Sequence, residues 1–157
     1  SASKTSADLL CRSFYETYKY PIVITRCSNN YGSNQHTEKL IPKMIENIKN
    51  GKKIPIYGDG RNIRDWVHVE DHCEAIDLVL HKGKNGEVYN IGGECEKRNI
   101  DIANIVLSHL NASTDLIEYV EDRKGHDWRY AVDITKIKNE LGWYPKRKFN
   151  ESIKELV

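Results

Sequence analysis

Long apolar runs are missing from this sequence. Nowhere does it approach the roughly 20 consecutive apolar residues of a membrane-spanning helix, and its first residues lack the charged-then-apolar order of a signal peptide. A charge excess of either sign is missing too. Lysine and arginine total 24 against 23 aspartates and glutamates, a net charge of +1, and the basic residues are spread among acidic ones. That balance argues against a nucleic-acid partner. Cysteine is sparse, with Cys11, Cys27, Cys73 and Cys95 and no Cys-x-x-Cys pair. Such spacing builds neither a disulfide framework nor a zinc knuckle, so reduced thiols and a cytoplasmic location are expected.

At 157 residues the chain is long enough for a domain with a real core. Leu9, Leu10, Phe14 and Tyr18 recur at three- and four-residue spacing and predict a helix over 3–19, ended by Pro21. The β-branched run Ile22-Val23-Ile24-Thr25 suits a buried parallel strand. A second helix is expected over 38–50, stopped by Gly51, then strands over 54–57 and 63–69 around a hairpin-like Gly58-Asp59-Gly60 turn. A helix capped by Glu70 or Asp71 runs to about His81, and a strand over 87–91 ends in Gly92-Gly93. Further helices follow Asn99 or Asp101, follow Asp133 (stopped by Gly142), and begin at an Asn150 cap. Strands alternating with helices define an α/β class with at least part of a parallel sheet. Ser1 and Val157 both fall inside helical patterns, as expected of a piece of a larger chain.

The most informative segment is Cys27 to His72. It contains Cys27-Ser28-Asn29-Asn30-Tyr31-Gly32, Glu38-Lys39-Leu40-Ile41-Pro42, Pro55-Ile56-Tyr57-Gly58-Asp59-Gly60 and Ile63-Arg64-Asp65-Trp66. Amides, cations and a tyrosine between short apolar runs suit a ligand with a flat base, phosphate charge and hydroxyls. Asn29 and Asn30 follow a buried strand, at the end where α/β folds place ligands, although an Asn-Asn pair also closes plain turns. Lys39 and Leu40 open a helix whose first N–H groups favour an anion; a solvated lysine is the plainer alternative. Arg64 is the best candidate for a phosphate clamp because its planar fork makes paired bonds. Its alternative is an ion pair with Asp65 or Glu70. Tyr57 is a core tyrosine or a base-stacking one. His68 and His72 are four apart beside Cys73, but the zincin glutamate is absent and a strand–helix junction divides them, so no metal is expected. Trp66, Trp128 and Trp143 read as packing residues.

Taken in order, these blocks and Val69-Glu70-Asp71-His72, Tyr89-Asn90-Ile91-Gly92-Gly93, Asn99-Ile100-Asp101 and Asp122-Arg123-x-Gly125-His126-Asp127 resemble the extended short-chain dehydrogenase/reductase family. Within it they are most similar to the dTDP-glucose 4,6-dehydratase family. The resemblance runs from residue 1 to about 155. It implies part of a doubly wound NAD-binding Rossmann sheet (1–32 and 66–93) plus a smaller α/β substrate-binding domain (33–65 and 94–157). It also implies NAD as cofactor, a dTDP-sugar substrate and a homodimer using the first helix.

By the same resemblance Lys4 is the lysine of a Tyr-x-x-x-Lys pair, holding the nicotinamide ribose and favouring the tyrosinate, and Asn30 lies on the nicotinamide side. Asn29, Lys39, Leu40, Pro55, Ile56, Tyr57, Arg64, Asn99, Arg123 and His126 fall to the substrate, with Tyr57 on the thymine. Asn99 has a helix cap as its plainer reading. Lys124 stands where the family pattern carries proline. The implied reaction oxidises the sugar at C4, removes water across C5 and C6, and returns the hydride to C6. The sequence holds neither the partner tyrosine, nor a Thr-Asp-Glu acid/base segment, nor a glycine-rich cofactor fingerprint after a strand, so residues 1–157 alone are expected to be inactive. Two rivals are a different nucleotide-sugar enzyme of the family (a UDP-glucuronate decarboxylase or a 4-epimerase) and a non-catalytic nucleotide-sugar binding module.

Overall fold

The structure is a computed structural model that describes all of residues 1–157. Helix α1 (Ala2–Tyr18) leads to strand β1 (Ile24–Cys27) and, one residue later, to β2 (Asn29–Tyr31). Helix α2 (Leu40–Lys49) and strands β3 (Ile54–Tyr57) and β4 (Ile63–His68) follow, and α3 (Val69–Lys82) continues directly from β4. Then come β5 (Val88–Ile91), β6 (Glu96–Arg98), α4 (Asn99–His109), β7 (Ile117–Val120), β8 (Arg129–Tyr130), α5 (Thr135–Leu141) and α6 (Phe149–Ser152). The α/β class expected from the alternation is what forms. No helix is long and apolar enough to cross a membrane.

Strands β1 and β5 pair in parallel, and β2 pairs in parallel with β4 (Asn29 with Trp66, Tyr31 with His68). The N-terminal half of β4 pairs instead with β6, antiparallel, and with β8, parallel. The hairpin expected around Gly58-Asp59-Gly60 does not form, because β3 pairs in parallel with β7, some sixty residues later. The turn has a different use: at a φ of +73° Gly60 sits where a Cβ would lie 2.7 Å from Ile56 Cγ2. The chain thus crosses close over β3 before β4 begins.

Two apolar clusters hold the elements. One joins α2, β3, α4 and α6 through Ile41, Met44, Ile54, Ile56, Ile102 and Phe149. Full burial of such side chains stabilises by about 1.5–3 kcal/mol each. The other lies under α3 and β5 and includes Val67, Ala75, Val79, Tyr89 and Ile91. Ile134, Ile137 and Trp143, from a segment grouped by sequence with the other unit, pack into this second cluster. The tryptophans divide: Trp66 and Trp143 are buried, whereas Trp128 is 60% exposed and packs into neither cluster. Caps also differ from expectation. His68, through Nδ1, accepts from Glu70 N and caps α3, and Asn150 lies inside α6, with Lys148 at the capping position.

Candidate functional site

Where β2, the start of α2, β3, β4 and the 122–127 loop converge, the surface opens into a cavity of about 620 Å³. Strand alternation sets its floor. Arg64 and Trp66, two apart on β4, line it together with Asn29, which pairs with Trp66 across the sheet. Pro55 and Tyr57 line it from the exposed face of β3. Ile56, between them, faces the opposite way and is buried in the first cluster. Of the three expected substrate residues on this strand, the structure brings the side chains of Pro55 and Tyr57 to the cavity and leaves Ile56 only its backbone to offer there.

Lys39, the residue just before α2, brings an ammonium to the rim, and Leu40, Lys43 and Met44 continue the wall one turn further. Asn99, first residue of α4, and Arg123 and His126 from the loop complete it. Helix α4 does not use Asn99 as its cap: Arg98 takes that position, its N–H donating to Asp101 Oδ2 and its guanidinium gripping the same carboxylate twice. Asn99 is buried, and its Oδ1 has no partner in the chain.

Electrostatically the cavity is cationic. Lys39, Lys43, Arg64 and Arg123 face a single lining carboxylate, Glu38. Arg64 makes no ion pair with Asp65 or Glu70. Its Nη1 donates to the Ile63 carbonyl at 2.7 Å and its Nη2 to the Asp127 carbonyl at 2.9 Å. Asp65 is instead buried and accepts from Gly93 N and Cys95 N, while Glu70 pairs with Arg147. The guanidinium at the cavity wall thus keeps its full charge for an anion.

The 122–126 loop carries a compact polar cluster. Arg123 lies with Cζ 4.9 Å from the centroid of the Tyr57 ring, and His126 meets that ring edge-on at 6.3 Å. His126 Nδ1 is 2.6 Å from Asp122 Oδ1, and its Nε2 is 2.9 Å from Arg123 Nη2. The bond from His126 is the main reason that the Asp122 carboxyl titrates below its ordinary range. Lys124 sits within this turn, between Arg123 and the His126 that Arg123 contacts.

Two expected residues lie apart from the cavity. Lys4 projects from the first turn of α1, a helix with no buried residue. Asn30 points to the face of β2 away from Asn29. Its Oδ1 meets His72 Nδ1 at 2.8 Å, and its Nδ2 approaches Cys27 Sγ and the Ser28 carbonyl. Burial pushes the His72 imidazole below its ordinary pKa. No group of three or more metal-ligating side chains forms anywhere in the chain.

Glu38, Lys43, Met44 and Trp66 also line the cavity, although none of them is expected in the site from the sequence, where Trp66 reads as packing. Lys43 follows Lys39 at a spacing of four, and Trp66 follows Arg64 at a spacing of two, so simple helix and strand periodicity carried that signal.

Fold and cavity together define an α/β protein of the parallel-sheet type with an arginine-lined cleft at strand ends. The chain belongs to the GDP-mannose 4,6 dehydratase family, whose model matches residues 1–156. It is 51% identical to the low-salt glycan biosynthesis protein Agl12 of Haloferax volcanii, over 100% of this chain and 50% of that protein. Among solved structures, it is 53% identical to the dTDP-glucose 4,6-dehydratase of Bacillus anthracis in complex with NAD. That match has a TM-score of 0.94 and covers 98% of this chain and 49% of the other. The dTDP-glucose 4,6-dehydratase DesIV of Streptomyces venezuelae, with NAD and TYD bound, is 47% identical with a TM-score of 0.96, covering 98% and 48%. The chain spans about half the length of the relatives it matches.

Proposed function

We propose that this chain supplies the nucleotide-sugar-binding half of an NAD-dependent dTDP-glucose 4,6-dehydratase, a lyase that converts dTDP-glucose to dTDP-4-keto-6-deoxyglucose. The observation that carries the reading is the convergence of Lys39, Arg64 and Arg123 with Tyr57, Asn29 and Asn99 around one cavity. Cations and an aromatic ring in that arrangement match a diphosphate, a base and a sugar in series. Arg64 and Arg123 bind the diphosphate with forked donors, and Lys39 adds a point charge at the start of α2. Tyr57 takes the base on its ring. Asn29, at the sugar end, offers both a donor and an acceptor to hydroxyls, and Asn99 serves the ribose–phosphate portion.

For the cofactor, the donor set on this chain is an ammonium (Lys4) and a carboxamide (Asn30), groups suited to a ribose hydroxyl and a nicotinamide carboxamide. NAD, when bound, supplies reversible hydride acceptance. The chain's own share is to orient: Lys4 favours an ionised phenol beside it, as any nearby cation does. His72 fixes which way the Asn30 amide points. The residues that the resemblance assigns to proton transfer are not among 1–157, so turnover by these residues alone is not expected.

Two further parts belong to this reading. Residues 1–32 and 66–93 belong to the NAD-binding unit, and 33–65 with 94–157 to the substrate unit, the boundary falling within β4, except that Ile134, Ile137 and Trp143 pack with the first unit. The parent acts as a homodimer in the cytoplasm, with Leu9, Leu10, Phe14 and Tyr18, all exposed on α1, in the dimer contact.

The test is calorimetric titration of the full-length protein with dTDP and with UDP, repeated on Arg64→Ala. The expected result is preference for dTDP and at least a tenfold loss in the variant, consistent with one charge-assisted pair. Preference for UDP would move the chain to a different nucleotide-sugar enzyme. No binding to either would defeat the site.

A further inference from the structure

Arg123 carries two duties in the proposed site, one toward phosphate and one toward the Tyr57 ring, and it comes from an exposed loop. A guanidinium on such a loop samples many rotamers unless something holds it. What holds it here is His126, whose side chain is only 5% exposed although both its neighbours reach solvent. Arginine has five N–H donors and no acceptor. A contact of 2.9 Å between Arg123 Nη2 and His126 Nε2 therefore requires a lone pair on Nε2. The ring proton then resides on Nδ1, where it donates to Asp122 Oδ1 at 2.6 Å. The direction of the whole chain of bonds is fixed: Arg123 donates to His126, and His126 donates to Asp122.

We propose that His126 is a positioning residue that acts on the ligand through Arg123, with Asp122 selecting its tautomer. This deepens the reading given above and rests on it. The imidazole pins the guanidinium at 4.9 Å from the Tyr57 centroid, where one cation covers one face of the ring and keeps its remaining N–H groups for phosphate oxygens. The other face of Tyr57 is then the one offered to the base. His126 packs edge-on against the same ring, so ring, guanidinium and imidazole are held as a unit. Gly58 belongs to the same unit, since a Cβ there would meet Asp122 Oδ2 at 3.2 Å.

The experiment is a double-mutant cycle on the full-length protein, titrated with dTDP by calorimetry. His126→Leu is expected to weaken binding about tenfold, the scale of a charge-assisted hydrogen bond. In the Arg123→Ala background the same substitution is expected to cost less than twofold, because its target is gone. His126→Gln places an amide oxygen where Nε2 lies and is expected to rescue most of the loss. His126→Asn, whose oxygen reaches only the Nδ1 position, is expected to behave as His126→Leu. The Gln–Asn contrast decides the matter even if the leucine variant does not fold.

Equal costs of His126→Leu with and without Arg123 would overturn the positioning role while leaving the binding site intact. Equal affinities of the Gln and Asn variants would overturn it as well. Absence of dTDP binding by the unaltered protein would overturn both this role and the reading beneath it.

Discussion

The carboxylate of Asp71, 1% exposed, receives Arg147 Nη1 at 2.5 Å across 76 residues of sequence. It also accepts the backbone N–H groups of Lys146 and Arg147 at 3.1 and 2.9 Å. Glu70 and Glu74 flank the same guanidinium. The start of α3 is thereby tied to the segment that leads into α6. Arg147 keeps Glu70 and Glu74 if Asp71 is removed, so the main cost is the two backbone N–H groups left without their acceptor, about 1–3 kcal/mol each. Asp71→Ala is expected to lose stability on that scale in urea denaturation. Glu74→Ala, on the exposed side of the cluster, is expected to lose under 1 kcal/mol.

Glycine at position 93 answers to a steric demand. A Cβ there would lie 1.7 Å from the Trp66 carbonyl oxygen, and the Gly93 N–H is engaged by Asp65 at 2.9 Å. Gly93→Ala is expected to prevent stable folding, read as loss of a cooperative thermal transition. Gly51 is the contrast: its φ is +64°, but a methyl group added there would meet nothing within 4 Å. Gly51→Ala is expected to cost only the left-handed backbone strain, about 1–2 kcal/mol.

Tyr57 tests the placement of the base. Stacking of a base on an aromatic ring is worth roughly 1–3 kcal/mol. Tyr57→Ala is therefore expected to weaken dTDP binding by about tenfold or more, and Tyr57→Phe to leave it within about threefold. An alanine variant that binds as the unaltered protein does would place the base away from β3.

Alkaline stability follows from Tyr31. Its ring is buried between His68 and Phe149, and that burial pushes the phenol from 10.0 up to about 12. The folded state therefore holds the proton more tightly than the unfolded chain. Its contribution is complete below pH 10 and is lost as pH rises toward 12, for a total of roughly 2–3 kcal/mol. Chemical denaturation at pH 9 and pH 11.5 is expected to show a larger drop for the unaltered protein than for Tyr31→Phe. Equal drops would mean that the phenol is not held neutral by the fold.

Much of the molecule was legible because its signals are local. The apolar spacing of Ile41, Met44, Ile45 and Ile48 announced α2, and the Pro-Ile-Tyr-Gly-Asp-Gly string placed β3 to the residue. What escaped was non-local or chemically quiet. Strand β6 is Glu96-Lys97-Arg98, with no apolar residue, and β8 has only two residues. The partner of β3 lies in Ile117–Val120, whose exposed middle hides any alternation. The nearby glycine turn suggested a hairpin instead. In the cavity, Arg64 stood out by its forked charge, whereas Arg123 and Tyr57 were placed by the resemblance, and the structure brings all three together. Ile56 was chosen with its neighbours although the strand's own two-residue period sets it on the other face. Trp66 was read as packing because an indole is most often that, yet it both packs and lines the cavity.

Strand β4 is registered at residues 63–65 with β6, at 63–64 with β8 and at 66–68 with β2. Both frameworks therefore grip one continuous rod of backbone. No loop separates them, so any rotation of one against the other has to bend β4 itself, at the floor of the cleft. In the proposed site, the parts free to adjust locally around a ligand are the long cationic side chains and the 122–127 turn. Side-chain rotamers of this kind change in roughly picoseconds to nanoseconds and loops move in roughly nanoseconds to microseconds. Association is then paced by diffusion and by the attraction of the cations, and it slows as salt screens them.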